Sequence, residues 1–312
     1  MSPSPTRCPA CGADALAPWG TAPAAEPGLG PIALLRCGRC GTAVTDAPPA
    51  VELRDAGAYA TRRPRLAGAA APLLRSFDRT RLRLLREVVP PPARLLDAGA
   101  GRGRFVATAR AAGYDADGLE PSQRGVEAAT EVYGVELLRA EVEDAPIAPG
   151  SLDAVSLWHV LEHVEDPRRA VSTIAGWLRP GGVLVVGVPN LAGVQARVGG
   201  RRWYHLDLPR HRTHFTPAGL RALLDAGGFD VVRERHVLAE HNPFGMWQSL
   251  VNRATRRPSY LYNLLKRNAP VASADLLVTL LALPLLPVAA LAELVAGLAR
   301  RGGTIAVTAR RR

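Results

Sequence analysis

Apolar and polar positions follow two different periods along the middle of the chain. Apolar residues recur at helical spacing from Leu73 to Val89, and this run ends at the prolines of 90–92. Short apolar runs bounded by Gly, Pro or polar clusters then occur at 94–98, 114–119, 153–157, 229–235 and 304–309. Runs of this length separated by helical segments predict an α/β fold with a largely parallel sheet.

Composition sets limits on the protein class. A chain of 312 residues accommodates one large α/β domain with smaller attachments. Hydrophobic residues make up 47% and charged residues 21%, which excludes wholesale disorder. The net charge of +11 comes mainly from arginine and favours an anionic partner. The first residues have no basic region followed by an apolar core, so we expect an intracellular location.

The four cysteines all lie within the first 40 residues, as two CxxCG motifs formed by Cys8, Cys11, Cys37 and Cys40. Each CxxC turn directs two thiolates at one point, and the spacing is that of a Cys₄ zinc ribbon. Four thiolate ligands leave no open position, so the zinc would be structural; iron fits the same ligands. We expect a ribbon over 1–47 and a Pro- and Ala-rich linker over 48–72, with one short helix around Val51–Tyr59.

A glycine-rich turn follows the first predicted strand. Asp97 is followed by Gly99, Gly101 and Gly103, and a helix is predicted from about Arg102. Glycines allow the backbone to approach a ligand closely, and such a turn often cradles phosphate. Here the spacing is GxGxG rather than GxGxxG, and the carboxylate of Asp97 would repel a pyrophosphate. The turn therefore favours a cationic ligand that carries an α-amino group.

Acidic residues recur at the ends of the next predicted strands. Glu120 follows the second strand and can accept both hydroxyls of a ribose. Glu141 can accept from an adenine amino group, while the neighbouring amide of Val142 serves a ring nitrogen. Ligands of open α/β sheets bind at these strand ends, so the acids together predict a nucleoside site.

Four motifs carry a resemblance to a known family: LLDAGAGRGRF, DGLEPS, EDAPIAPGSLDAVSLWHVLEHVEDP and LRPGGVLVVGVPN. Over about residues 75–235 the chain resembles class I S-adenosylmethionine-dependent methyltransferases of the ubiquinone-biosynthesis type. The resemblance implies a Rossmann-like seven-stranded sheet with helices on both faces, whose last strand inserts antiparallel between the fifth and sixth. The catalytic domain would be 73–235 plus 303–312, and residues 236–302 would be an apolar helical insertion.

The resemblance also implies roles for individual residues. Asp97 and the three glycines would hold the methionine end of the cofactor, Glu120 its ribose, and Glu141 with Val142 its adenine. Trp158 would contribute to the same site. One departure is Glu141, where the family more often has Asp.

Two histidine-containing segments are candidates for the acceptor side. His159 is predicted at the tip of the fourth strand, facing the methyl group, with His163 one helical turn later and packed on the sheet. A second segment, 203–215, is expected to cover the site and to place His211 or Tyr204 near the acceptor. A metal site from His205, His211 and His214 is the less favoured alternative, because their spacing is irregular.

A long apolar stretch lies within the predicted insertion. From Leu276 to Leu298 the only charged residue is Glu293, a length typical of a transmembrane helix. Pro284 and Pro287 divide it, which predicts two short helices that turn back as a hairpin. A single crossing would separate the last strand from its sheet. Basic residues flank the stretch, so we expect contact with an anionic membrane surface through 253–301, or alternatively a buried pair or a homodimer interface.

These observations favour S-adenosylmethionine-dependent methyl transfer to a small-molecule or lipid-linked acceptor, at oxygen or carbon. The enzyme would be cytoplasmic and peripheral on the inner face of the membrane. Nucleic acid is less favoured as a partner, because no basic and aromatic stripe suggests base stacking. Two alternatives remain open: an RNA methyltransferase that uses the ribbon to bind nucleic acid, and a non-catalytic zinc-ribbon adaptor.

Overall fold

The structure, a computed structural model, describes residues 5–25, 29–48, 67–240, 242–265 and 271–312. The strands are β1 (Leu16–Ala22), β2 (Ile32–Cys37), β3 (Ala43–Asp46), β4 (Arg94–Ala98), β5 (Asp115–Leu119), β6 (Leu152–Trp158), β7 (Leu178–Pro189), β8 (Thr213–His214), β9 (Phe229–Arg235) and β10 (Thr304–Arg311). The helices are α1 (Ala67–Arg86), α2 (Arg104–Ala111), α3 (Gln123–Tyr133), α4 (Pro167–Trp177), α5 (Val194–Gly199), α6 (Pro217–Ala226), α7 (Asn242–Val251), α8 (Tyr260–Leu265), α9 (Ser273–Ala282) and α10 (Leu286–Leu298).

The large sheet has the strand order β5-β4-β6-β7-β10-β9. Strands β5, β4, β6 and β7 are parallel, whereas β10 lies between β7 and β9 and is antiparallel to both. The class I fold and the insertion of the last strand are therefore confirmed. Seven strands were expected, but the described residues form six. At the edge next to β5, where the seventh strand was expected, a single parallel bridge joins Leu119 to Leu138. The pairing does not extend further along the short, partly polar segment around Leu138.

Helices cover both faces of this sheet, so the central strands are buried on both sides. On one face Val155 and Leu157 of β6 pack with Ile174 of α4 in a single apolar cluster. On the other face Ala154 packs with Phe105 of α2. This arrangement brings the carboxyl ends of β4, β5 and β6 to one edge, where a ligand site is expected.

The N-terminal ribbon is joined to the catalytic domain by hydrogen bonds. Its sheet has the order β1-β2-β3-β8, and β8 comes from the 203–215 segment. The Thr45 hydroxyl donates to the His211 carbonyl at 2.5 Å, and the Thr216 hydroxyl donates to the Cys40 carbonyl at 2.6 Å. The ribbon is thus part of one folded unit. Of the predicted linker, 67–72 already belong to α1, and the helix predicted around Val51–Tyr59 lies outside the described residues.

The apolar insertion differs from the predicted hairpin. A 3₁₀ turn, Leu283–Leu285, joins α9 to α10, and the junction residues keep right-handed helical dihedrals. The chain therefore continues as one helical run, Ser273–Leu298, long and apolar enough to cross a membrane by length and composition. The hairpin prediction is wrong because Pro284 and Pro287 fall in the first turns of their segments, where a missing N–H does not break the helix.

The two faces of this run are inverted relative to an ordinary surface helix. The side turned toward the protein carries Asp275, Thr279 and Glu293, which are all buried. The side turned away carries leucine and valine, for example Leu281 at 71% and Leu291 at 61% exposure. Polar residues inside and apolar residues outside are the reverse of the usual pattern. The inner side chains bind backbone groups: Asp275 accepts from the Arg256 N–H at 2.8 Å.

Candidate active site

A cavity of about 460 Å³ lies at the edge where β4, β5 and β6 end. Five residues predicted for the cofactor or the acceptor line it: Gly99, Glu120, Glu141, Val142 and His159. Its volume is within the usual range for a small-molecule site. The structure therefore gathers residues from four separate parts of the sequence around one space.

Glu120 is held in place by the glycine turn. One carboxylate oxygen accepts the Gly101 N–H at 2.9 Å, and the other accepts the Ser122 N–H at 3.0 Å. Gly101 and Gly103 do not line the cavity but shape the turn, with φ angles of 59° and 72°. At Gly99 an added Cβ would meet Val160 Cγ2 at 2.3 Å, so only glycine fits there.

Asp97 lies behind the cavity lining and is paired with a residue that the sequence analysis did not identify. Arg81 Nη2 is 2.7 Å from Asp97 Oδ1, and the Ser156 hydroxyl donates to the same oxygen at 2.5 Å. Burial raises the pKa of Asp97, while Arg81 opposes this shift. Arg81 lies four residues from both Phe77 and Leu85, which are buried on α1. That spacing is the signal by which its inward position could have been recognised.

The cavity is acidic although the whole chain is basic. Six acidic residues and three arginines line it: Glu120, Glu141, Glu143, Asp144, Glu165, Asp166, Arg169, Arg210 and Arg212. Two of the arginines are paired with lining acids, Arg169 with Asp144 and Arg212 with Glu165. An excess of carboxylates suits a cationic ligand and disfavours a pyrophosphate.

His159 follows β6 directly and has an unusual backbone. Its φ is 55°, a conformation that non-glycine residues rarely adopt. Its Nδ1 lies 3.0 Å from Glu162 Oε1. His163 was predicted one helical turn after His159, but residues 161–163 form a turn. The next helix, α4, begins only at Pro167, where Asp166 caps it by accepting from the Arg168 and Arg169 N–H groups.

Glu162, His163 and His211 form a compact cluster beside His159. Their ligand-type atoms all lie within 4.8 Å of one another. Burial would raise the pKa of Glu162, but the hydrogen bond from His159 and the neighbouring imidazoles lower it overall. Burial together with His211 lowers the pKa of His163 to about 4, so this ring is neutral near pH 7. His163 lines the cavity, whereas His211 is buried outside its lining.

Three other predicted residues lie outside the cavity lining. Trp158 is buried and packs against Gly187. Tyr204 contacts the rings of His205 and Phe244, and burial raises its pKa well above 10, so its phenol is not a base near neutral pH. His214 contacts the Thr45 hydroxyl through Nε2 at 3.0 Å and therefore braces the ribbon.

The four cysteines converge in the ribbon. The Sγ atoms of Cys8 and Cys40 are 3.6 Å apart, as are those of Cys11 and Cys37, and all four lie within 4.8 Å of one another. Tetrahedral zinc with bonds of about 2.3 Å requires sulfur separations of roughly 3.8 Å. The arrangement fits a four-coordinate metal site with no open position.

A family model described as a methyltransferase domain matches residues 68–234, more than half of the chain. The chain belongs to this methyltransferase family. The methyltransferase is 35% identical over 101 residues to an uncharacterized methyltransferase of Mycobacterium sp. (strain JLS), a match covering 32% of this chain and 40% of that relative. It is 30% identical over 165 residues to the ubiquinone biosynthesis O-methyltransferase of Caulobacter sp. (strain K31), covering 49% of this chain and 62% of that one. It thus spans less than two thirds of each of these relatives.

Solved structures resemble the methyltransferase over most of its length. The [4+2]-cyclase SpnF has a TM-score of 0.51 at 21% identity, covering 82% of this chain and 86% of that one. A SAM-dependent methyltransferase from Archaeoglobus fulgidus has a TM-score of 0.50 at 17% identity, covering 76% and 94%. At these identities the likeness concerns the fold, which agrees with the strand order of the large sheet.

Proposed function

We propose that the methyltransferase transfers the methyl group of S-adenosylmethionine to an oxygen atom of a small or lipid-linked acceptor. The observation that carries this proposal is the acidic cavity at the strand ends, where Glu120 is anchored to the glycine turn. Such a lining suits a ligand that carries a net positive charge, a ribose and an adenine.

Different residues of the cavity would bind different parts of the cofactor. When bound, S-adenosylmethionine supplies an electrophilic methyl group on a sulfonium. Glu120 would accept the ribose hydroxyls, and Glu141 with Val142 would meet the adenine. The amino-acid end of S-adenosylmethionine carries an ammonium and a carboxylate. The buried pair of Asp97 and Arg81 would complement both: the Asp97 carboxylate suits the ligand's ammonium, and the Arg81 guanidinium suits the ligand's carboxylate.

His159 would remove the acceptor proton. Its contact with Glu162 favours the tautomer protonated at Nδ1, so Nε2 is the basic nitrogen. Bound S-adenosylmethionine would supply the methyl group and keep the electrons of the carbon–sulfur bond on sulfur, while His159 would accept the hydroxyl proton of the acceptor. A hydroxyl needs such a base, and this favours methylation at oxygen over carbon.

An aromatic path connects this base with the insertion, and it favours an acceptor with a lipid tail. The His159 and His205 rings stack at 5.8 Å between centroids, and His205 contacts Tyr204 at 4.8 Å. Tyr204 in turn contacts Phe244 of α7 and Tyr262 of α8. The path leads to the helices against which the apolar run packs, so contacting side chains link the base to the insertion.

The outward face of α9 and α10 would rest on an anionic membrane surface. Leucine and valine side chains form this face, and exposed arginines border it at 253, 256, 257, 300 and 301. Apolar side chains would enter the interface while the guanidinium groups meet the headgroups. The flanking Lys266 and Arg267 lie outside the described residues. We infer a peripheral location, because one side of the run is buried on the protein.

The ribbon would carry structural zinc, since four cysteine sulfurs enclose the site. Bound zinc would hold β1–β3 together and, through β8, the segment that bears His211. This role differs from the nucleic-acid handle of the RNA hypothesis, which the acidic cavity and the apolar outer face also disfavour.

The proposal can be tested with methyl-labelled S-adenosylmethionine and a phenolic acceptor bearing a polyprenyl tail, presented in anionic vesicles. Label should pass to the lipid phase, and His159→Asn should lower the rate by about 100-fold or more while S-adenosylhomocysteine binding stays unchanged. The same phenol without its tail should react more slowly. Transfer to RNA but not to the phenol would overturn the proposal.

A further inference from the structure

A second cavity, of about 510 Å³, lies where the ribbon meets the catalytic domain and the insertion. Thr21 and Pro31 line it from the ribbon, Gly200 lines it from the segment that follows α5, and Arg253 lines it from the turn that follows α7. Among the described residues, none lines both this cavity and the acidic one. The proposed methyl transfer therefore gives the second cavity no role.

This cavity is basic. Its charged lining residues are Arg201, Arg202 and Arg253, and no carboxylate in the described part of the chain lines the cavity or pairs with them. Arg169 and Arg212 of the acidic cavity, by contrast, are paired with acids that line it. Three guanidinium groups without a counter-ion around one space indicate an anionic ligand.

Arg201 is held in place without all of its donors being used. Its guanidinium carbon lies 4.1 Å from the centroid of the Trp19 ring, and its Nη2 donates to the Trp19 carbonyl. Its Nη1 is buried and has no hydrogen-bond partner among the described residues, which is costly. Burial, together with the charge of Arg36, lowers the pKa of Arg201. An anion seated against this guanidinium would supply the missing partner and the missing charge.

Arg202 and Arg253 are each anchored through one nitrogen. Arg202 Nη1 donates to the Asn252 carbonyl at 2.9 Å and to the Thr255 carbonyl at 2.8 Å. Arg253 Nη1 donates to the Val198 carbonyl at 3.1 Å. Within the described chain, no other hydrogen bond occupies these two guanidinium groups. Because carbonyl groups carry no net charge, these contacts orient the two cations and leave their charges and remaining donors to a ligand.

The backbone beside the arginines leaves room for a ligand. Gly200 has a φ of 54°, and a Cβ placed there would meet nothing within 4 Å. Ala22, which also lines the cavity, belongs to an apolar cluster with the buried Leu34 and Trp203. The arginines therefore border an open space on a packed support, so little rearrangement is needed when a ligand binds.

We propose that Arg201, Arg202 and Arg253 bind a phosphate group in this cavity. One arginine fork satisfies a planar carboxylate, whereas a phosphate monoester carries roughly two negative charges and three acceptor oxygens. Several guanidinium groups around one space therefore match a phosphate better than a carboxylate. The site does not depend on the proposed methyl transfer, because the cofactor would occupy the other cavity.

Two kinds of molecule present this group: a soluble phosphate ester and the headgroup of an anionic lipid. The position of the cavity is compatible with both. The Arg256 N–H, three residues after Arg253, donates to Asp275 in the first turn of α9 at 2.8 Å. The cavity thus adjoins the start of the apolar run, where a lipid headgroup would lie if the outward face rests on a membrane.

The test titrates the full, zinc-loaded chain with glycerol 3-phosphate in a calorimeter, at a salt concentration of about 0.15 M that screens exposed charges. One site should bind glycerol 3-phosphate, and glycerol should not bind. Arg201→Gln should weaken binding by about tenfold or more, and so should Arg253→Gln, which alters an exposed side chain and leaves the Trp19 stack intact. Arg83→Gln, at an exposed position of α1, is the matched control and should bind like the unaltered protein.

Vesicles containing phosphatidic acid distinguish the two sources. Displacement of glycerol 3-phosphate by these vesicles, but not by vesicles of phosphatidylcholine alone, would assign the site to a lipid headgroup. Undiminished binding in their presence would assign it to a soluble phosphate ester.

Circular dichroism should establish that each variant is folded. A folded protein that binds no glycerol 3-phosphate would overturn the inference, and so would equal affinities in Arg201→Gln, Arg253→Gln and the unaltered protein. Glu120→Gln, which alters the acidic cavity, should leave glycerol 3-phosphate binding unchanged. Failure of cofactor binding and failure of phosphate binding are therefore separate results.

Discussion

Arg81 and Asp97 form a buried ion pair at the end of the first strand of the catalytic domain, with 2.7 Å between Nη2 and Oδ1. The pair links α1 to β4, so a helix from outside the glycine turn takes part in the site. Arg81 also lies over the ring of Phe105, with its guanidinium carbon 3.8 Å from the ring centroid. Its charge is therefore fixed in position before a ligand arrives.

Asp97→Asn should weaken S-adenosylhomocysteine binding by about tenfold or more, because the ammonium of the ligand would lose its carboxylate and Arg81 its partner. Isothermal titration measures this effect. Asp117→Asn is the matched control, since Asp117 is exposed on the neighbouring strand β5 and pairs with Arg110. A folded Asp97→Asn variant with undiminished affinity would show that the pair has no part in binding.

Removing zinc should loosen the segment that carries His211. β3 pairs with β8, and the Thr45 N–H donates to the Arg212 carbonyl at 3.0 Å, so the ribbon supports this segment directly. Chelation or Cys37→Ser should increase amide hydrogen exchange over 205–216 by about tenfold or more.

Thr45→Val provides the comparison for that experiment, because it keeps the four cysteines and removes only the hydroxyl. It should increase exchange less than zinc removal does. Unchanged protection of 205–216 after the metal is stripped would mean that the ribbon folds and acts separately.

Glu293 should make stability depend on pH. Burial raises its pKa to about 7, although it accepts hydrogen bonds from the Gly303 N–H and Gln195 Nε2. The native state therefore holds this proton more tightly than the unfolded state, whose carboxyl titrates near 4.5. The contribution of the Glu293 proton to the free energy of unfolding is complete below pH 4.5 and is lost as the pH rises through about 7.

Glu293→Gln should remove this dependence. Between about pH 5 and pH 8 the thermal midpoint of the unaltered protein should fall by several degrees relative to the variant, measured by circular dichroism. Glu131→Gln, at an exposed position of α3, should follow the unaltered protein. Parallel curves for Glu293→Gln and the unaltered protein would refute the assignment.

Membrane contact should depend on the outward face of α9 and α10. Replacing Leu281 and Leu291 together by Glu should abolish flotation with vesicles containing phosphatidylglycerol, because charge in the apolar layer is costly. Val132→Glu changes an exposed apolar residue on α3 and should leave flotation intact. Flotation of the double variant at the level of the unaltered protein would place the membrane contact elsewhere.

The sequence predicted the order of strands and helices well, because short apolar runs alternate with helical segments. Strand β9 was predicted with its observed bounds. Thr216 followed by Pro217 is a local pattern typical of a helix start, and Thr216 does accept the Gly219 N–H at the start of α6. These features depend on neighbours within a few residues, which a sequence displays directly.

Features that depend on distant contacts were not predicted. The ion pair of Arg81 and Asp97 joins residues 16 apart through the packing of α1. The pairing of the ribbon with β8 joins residues about 170 positions apart. The apolar run was predicted to be a hairpin because prolines generally break helices. Pro284 and Pro287, however, lie in the first turns of their helical segments, where a proline is tolerated.

Titration of the zinc-loaded protein with S-adenosylhomocysteine tests the central claim most directly. We expect one binding site, an affinity reduced by about tenfold or more in Glu120→Gln, and unchanged affinity in Glu127→Gln, whose carboxylate is exposed on α3. Glu120 is the decisive position because its carboxylate joins the glycine turn to the cavity. A folded protein that takes up no S-adenosylhomocysteine, or equal affinities in the two variants, would contradict the account.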